Sequence, residues 1–185
     1  RFVSLLFVVA TVASLAASPA QARRNGNTFA LATNCAGCHA TGAEPTLTLT
    51  QVTADPLVAG GSAIFEVSLV SNQGGGAGRF AAFAASIPTA AGTFAAGAET
   101  EVCPAAGATC PQGRTAIRDV TRRSFDGGAY SWEIELTNLG VGTHSLAVGG
   151  NDVNASGSGC PSACNTSGDQ NVAGTLAFTV AEGEG

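Results

Sequence analysis

The chain has 185 residues, a formal net charge of −5 and 11% charged side chains, and every one of its cations is an arginine. An acidic, lysine-free chain argues against nucleic acid and anionic membrane surfaces as partners. The length suits one domain with a substantial core behind a leader, and the many small residues, 25 glycines among them, suit a secreted β-protein.

Residues 1–22 have the layout of a signal peptide. Arg1 is basic, Phe2 to Leu15 is an apolar run broken by Thr11 and Ser14, and Ala20-Gln21-Ala22 is a small-x-small cleavage site. So short and interrupted a run predicts cleavage rather than anchoring, with a mature protein beginning near Arg23. Methionine is absent, so the initiator residue lies outside this sequence. No transmembrane span is expected in the mature chain. The expected location is extracytoplasmic: periplasm, cell surface or secreted.

Residues 23–45 form a short segment around Cys35-Ala36-Gly37-Cys38-His39. Cys-x-x-Cys-His is the pattern for covalent attachment of c-type haem. The two thiols add to the porphyrin vinyl groups, and the adjacent histidine takes an axial position on iron. One helical turn brings the three side chains to one side. Asn27 to Asn34 is compatible with a brief helix leading into Cys35. A plain Cys35–Cys38 disulfide beside a bystander histidine is the alternative.

From Pro45 onward the pattern becomes period-two alternation, the mark of half-buried strands. Strands are predicted at Thr46–Val52, Ser62–Val70, Arg79–Ala85, around Phe94, and at Thr115–Thr121, where Val120 is out of phase with Ile117. The clearest follow. Tyr130, Trp132, Ile134 and Leu136 alternate with polar residues up to Thr137. His144, Leu146 and Val148 alternate with Ser145, Ala147 and Gly149, and Leu176, Phe178 and Val180 close the domain. Gly60-Gly61, Gly74-Gly75-Gly76 and Gly127-Gly128 punctuate them. The expectation is an all-β, immunoglobulin-like antiparallel sandwich of about seven or eight strands over residues 46–181, with a tail at 182–185.

The cysteines fall in three close pairs. If Cys35 and Cys38 carry haem, proximity favours Cys103–Cys110 and Cys160–Cys164 disulfides, each closing a Pro/Gly-rich loop in an oxidising compartment. The spacings of these four fit no common zinc pattern.

Gly142-Thr143-His144-Ser145-Leu146-Ala147-Val148-Gly149-Gly150-Asn151-Asp152-Val153-Asn154, followed by Ser167-Gly168-Asp169, resembles the end of the bacterial choice-of-anchor V domain, itself similar to the reeler domain of Reelin. That family's pattern runs Gly-Thr-Val-x-Phe-x-Ala-x-Gly-Asn-x-x-Asn, then Ser-Gly-Asp. Its members also resemble this chain in a leader and Cys-x-x-Cys-His ahead of the sandwich, and Tyr130-Ser131-Trp132 sits where they have an aromatic strand. The resemblance implies an immunoglobulin-like sandwich on an exported, often surface-anchored protein. Gly159 to Thr166 departs from the family as an insertion holding Cys160 and Cys164; the sequence stops at Gly185 ahead of any anchor, so either a released protein or a longer chain is expected.

Methionine and lysine are absent, so His144 is the only ordinary second axial ligand that the chain offers to an iron held by His39. The competing reading of His144 is a partly buried strand residue in phase with Leu146. A metal-binding module built on His39 and His144 is a weaker option. Arg114, Arg118 and Arg122 share strand parity, with Arg123 beside them. Such a stripe can meet haem propionates or an acidic partner, but a solvated face of salt bridges is the favoured reading. Asn151, Asp152, Asn154 and Asp169 gather oxygens in a way that admits calcium, although Asx side chains capping their own turns explain them more simply. Asn154-Ala155-Ser156 and Asn165-Thr166-Ser167 match the glycosylation pattern incidentally. No nucleophile elbow is present, so no catalytic residue is assigned. The expectation is an exported mono-haem c-type protein for electron transfer to an unidentified redox partner or for haem-based sensing. The alternative is a non-catalytic adhesion or ligand-binding module with Cys35–Cys38 as a disulfide.

Overall fold

A computed structural model describes residues 43–73, 79–103, 110–120, 123–154 and 170–183. The leader, the Cys-x-x-Cys-His segment and the Cys160/Cys164 insertion lie outside these residues.

Two sheets pack face to face as an all-β sandwich. The first has the order β1-β3-β9-β5, from β1 (Thr46–Gln51), β3 (Ala63–Val70), β9 (Ala129–Thr137) and β5 (Thr93–Ala95). The second has the order β2-β11-β10-β4-β7-β6, from β2 (Leu57–Val58), β11 (Gln170–Ala181), β10 (Gly142–Asn154), β4 (Arg79–Pro88), β7 (Arg114–Asp119) and β6 (Thr100–Val102). β8 (Arg123–Ser124) pairs with the start of β4. All pairings are antiparallel except that of β2 with β11. Among the described residues seven strands have six or more residues, and each overlaps a strand predicted from sequence.

Alternation fixes the inner faces. Phe65, Val67 and Leu69 of β3 and Trp132, Ile134 and Leu136 of β9 face Phe83, Ala85 and Ile87 of β4, Leu146 and Val148 of β10, and Phe178 and Val180 of β11. Phe65 meets Phe178 with ring centroids 5.2 Å apart, and Phe83 meets Trp132 at 4.8 Å. Burying one such side chain is worth roughly 1.5–3 kcal/mol, so this seam holds the sheets together. At Gly150 the sheets approach so closely that a Cβ would lie 2.5 Å from Leu69 Cδ2. Gly140 sits equally tightly, since its Cβ would lie 2.0 Å from the Ala90 carbonyl oxygen.

The out-of-phase Val120 has a structural cause. β4 pairs Ala84 with Arg118, but its next pair on that side is Ala81 with Arg123. Two residues of β4 thus face four on the other chain segment. The strand predicted at Thr115–Thr121 therefore ends at Asp119, and the fully buried Asp119 carboxylate accepts the Phe83 N–H at 3.0 Å, in place of a backbone partner.

Candidate functional site

Cys35, Cys38 and His39 lie outside the described residues, but the point where their segment joins the sandwich is defined. Asn72 Nδ2 donates to the Glu44 carbonyl at 2.7 Å and to Thr46 Oγ1 at 3.0 Å. β1 begins here, with Thr46 opposite Val70.

At this end of the sandwich lies a buried ion pair. Asp152 is fully buried; its Oδ1 accepts Arg79 Nε at 2.8 Å and Arg79 Nη2 at 2.6 Å, and its Oδ2 accepts the Ser71 hydroxyl at 2.6 Å. Ser71 follows β3, so the network ties the first sheet to β10 and β4 of the second. Strand parity turns Asn151 to the opposite face of β10, where its Oδ1 is buried without a hydrogen-bond partner. The oxygens considered for calcium thus do not converge at Asn151 and Asp152. Asp169 lies outside the described residues. Among those residues, no group of three or more His, Cys, Asp or Glu could hold a metal.

A second polar cluster was not foreseen from sequence. The Tyr130 hydroxyl donates to Glu99 Oε2 at 3.0 Å, and Arg123 Nη2 pairs with Glu99 Oε1 at 2.9 Å. Burial, and then the Glu99 carboxylate, push the Tyr130 phenol above its ordinary value. Tyr130 also packs on Trp132 with ring centroids 4.8 Å apart. Glu99 lies between short strands with no periodic signal, which is why composition did not reveal it.

The salt bridges expected of the arginine stripe are present, at Arg118 and Arg123, but Arg118 is not solvated. Arg118 is 9% exposed and ion-paired with Glu101. Arg114 donates to Ser86 through Nε (2.8 Å, to Oγ) and Nη2 (2.9 Å, to the carbonyl). Both lie on the outer face of the second sheet, because the register sets Arg118 opposite Ala84 and Arg114 opposite Pro88, in phase with Ser86, while Phe83, Ala85 and Ile87 face the core. Arg122 lies outside the described residues. On the same face, the Cys103–Cys110 disulfide packs over Ala116.

His144 occupies the opposite end of β10 from Asp152. The separation is eight residues, about 27 Å along a strand. Its Nε2 donates to the Gly140 carbonyl at 2.8 Å, and its ring tilts against Phe178 with centroids 5.6 Å apart. The imidazole thus closes the β9–β10 turn, which also holds Asn138 at φ 51° and bonds Gly140 N–H to the Ala91 carbonyl at 3.2 Å. Iron ligation through Nε2 would have to displace the bond to Gly140. It would also require the five residues from His39 to Glu44, whose full reach is about 18 Å, to run back along the sandwich. Near this end, Gln51, Asp55, Leu57 and Phe178 line a shallow cleft beside β11.

No family model and no curated protein matches the chain. Among solved structures, the chain is similar to a cohesin module from a Clostridium perfringens family 33 glycoside hydrolase, with 8% identity, a TM-score of 0.46 and coverage of 75% of this chain and 99% of that one. It is also similar to the bacterial hydrophobin BslA, at 13% identity, a TM-score of 0.39 and coverage of 77% and 98%. A third is AvmM, which catalyses macrocyclization in alchivemycin A biosynthesis, at 15% identity, a TM-score of 0.39 and coverage of 75% and 90%.

Proposed function

We propose that this chain is an exported c-type haem-binding protein on a β-sandwich scaffold. The carrying observation is Cys35-x-x-Cys38-His39 placed shortly after a signal-peptide-like leader. The Cys103–Cys110 disulfide is compatible with an oxidising, extracytoplasmic compartment, where c-type attachment takes place. Among the described residues, no helix is long and apolar enough to cross a membrane.

In this reading Cys35 and Cys38 hold the porphyrin covalently and His39 supplies the proximal nitrogen. Bound haem iron supplies one-electron redox chemistry or an axial site for a small ligand. Asn72, by gripping the Glu44 carbonyl, anchors the haem-bearing segment at the Asp152 end of the sandwich. The His144 Nε2–H bond to Gly140, at the other end of β10 from the Asn72 junction, supports a reading in which His39 would be the chain's iron ligand and in which haem-based sensing is favoured over electron transfer. The role is non-catalytic, and the choice-of-anchor V resemblance accords with export but adds no activity.

The test is expression into a periplasm with and without c-type maturation machinery, read by haem stain on a denaturing gel and by pyridine haemochrome spectrum. Covalent haem that disappears in Cys35→Ala/Cys38→Ala is the expected result. A colourless, folded product in both hosts overturns the reading and leaves a disulfide-stapled binding module.

A further inference from the structure

β11 is an open sheet edge. One side pairs continuously with β10, from Asp152↔Gln170 to Gly142↔Val180, with no bulge in the register. Among the described residues the other side pairs only with β2, at Val180 and Ala181, and the chain from Gln51 to Leu57 lines a cleft beside Ala177 to Thr179. The Ala59 N–H donates to the Ala181 carbonyl at 3.0 Å, and this fixes which groups face outward. By two-residue alternation, Thr179, Ala177, Thr175 and Ala173 turn their N–H and C=O to the open side. Their side chains are exposed on the outer face.

Native edges are ordinarily blunted by charge, proline, bulges or shortness. The twelve residues of β11 contain no charged residue and no proline. At the other end of the same sheet, β6 has three residues and includes Glu101. An undefended edge of this length is a template for another strand.

We propose that this edge pairs with the same edge of a second copy of the chain, antiparallel about a two-fold axis at Thr175. In such an isologous contact each residue meets a counterpart set by the axis. Thr175 meets Thr175, and Ala173 meets Ala177 on the exposed face. Gly174 meets Leu176 and Val172 meets Phe178 on the inner face, so small side chains oppose large ones. The pairing supplies about six ladder hydrogen bonds across these residues. It also leaves free the β2 pairing, which begins at Val180 of β11. Charge selects a copy over a charged peptide. No side chain of β11 is charged, so the strand neither repels its own image nor pairs with a charged strand; one acid, Asp55, lies beside it at Ala177 to Thr179.

Sedimentation velocity on the full exported chain tests this, with wild type, Thr175→Lys and Thr175→Glu. Residue 175 is exposed, so both variants should keep the wild-type circular dichroism and thermal midpoint. Wild type should show a concentration-dependent rise to twice the monomer mass. Each variant should remain monomeric where wild type is half dimeric, because like charges meet across the axis. A 1:1 mixture of the two should regain the dimer. A wild-type chain that stays monomeric to about 0.5 mM, where even a millimolar association shows, overturns the proposal. So does a dimer indifferent to both substitutions, or protection of the Thr175 and Ala177 amides from exchange in the monomer.

Discussion

Removing either half of the Arg79–Asp152 pair should destabilise the protein, and the two losses should be unequal. The Asp152 side chain is 0% exposed and the Arg79 side chain 13%. Breaking a buried pair by deleting one partner costs roughly 3–5 kcal/mol, because a desolvated charge is left behind. In Asp152→Ala the guanidinium, already 13% exposed, can turn to water, so the cost should be about 3 kcal/mol. In Arg79→Ala the carboxylate remains fully buried with only the Ser71 hydroxyl, so the cost should be about 4–5 kcal/mol. For a sandwich of this size, 3 kcal/mol lowers the thermal midpoint by about 10 °C. The double variant should cost less than the sum, with about 2 kcal/mol of coupling. Urea unfolding read by the fluorescence of Trp132, the only tryptophan, measures all three. If Asp152→Ala costs as much as Arg79→Ala, or the coupling falls below about 0.5 kcal/mol, the pair is not a desolvated tie between the sheets.

Other residues give shorter tests. Gly150→Ala forces a methyl group against Leu69 and should cost about 1–3 kcal/mol in urea unfolding, with part regained in Leu69→Ala/Gly150→Ala. His144→Ala should loosen the β9–β10 turn by about 1 kcal/mol while leaving the spectrum of the haem-loaded protein unchanged; a spectral shift would restore His144 as an iron ligand. Cys103→Ala/Cys110→Ala should lower stability by about 2.5 kcal/mol, the loop-closure value for so short a ring, and a larger loss would mean that the bridge also organises packing over Ala116. Tyr130 is the only tyrosine, so absorbance near 295 nm follows it alone. Its native midpoint should lie above 10 and that of the denatured chain near 10. Folding favours the protonated phenol, so this contribution to stability is complete below the unfolded midpoint and is lost as pH rises through the native one. Glu99→Gln should bring the native midpoint back toward 10 without reaching it, since burial remains.

The inner residues of β3, β9, β10 and β11 could be read directly, because a strand buried on one face writes its exposure into alternate positions. β2, β6 and β8, with two or three residues each, are too short to show a period, and β5 showed only as a short piece around Phe94. The break after Asp119 showed only as Val120 falling out of phase. Parity could have gone further at Asp152. It is in phase with Leu146, Val148 and Gly150, so a carboxylate at that position must be buried and needs a cation. Sequence could not say that the cation is Arg79, because the strand register sets that partnership. The arginine stripe was legible as a face of salt bridges but not in its partners or burial, for a related reason. Parity put Arg114 and Arg118 on one face, but nothing in the pattern told that Ser86 and Glu101 would engage both of them.

The two ends of the sandwich bear differently on the haem reading. The segment carrying Cys35, Cys38 and His39 joins at the Asn72 and Asp152 end, where a buried ion pair and a gripped carbonyl make the attachment point stiff. The chain's other histidine is spent about 27 Å away on closing a turn. A bis-histidine site would need both a long extended return and the loss of a hydrogen bond that shapes the β9–β10 connection. A site with one protein ligand needs neither. A reading in which His39 is the chain's one iron ligand therefore asks less of this sandwich than one that also recruits His144.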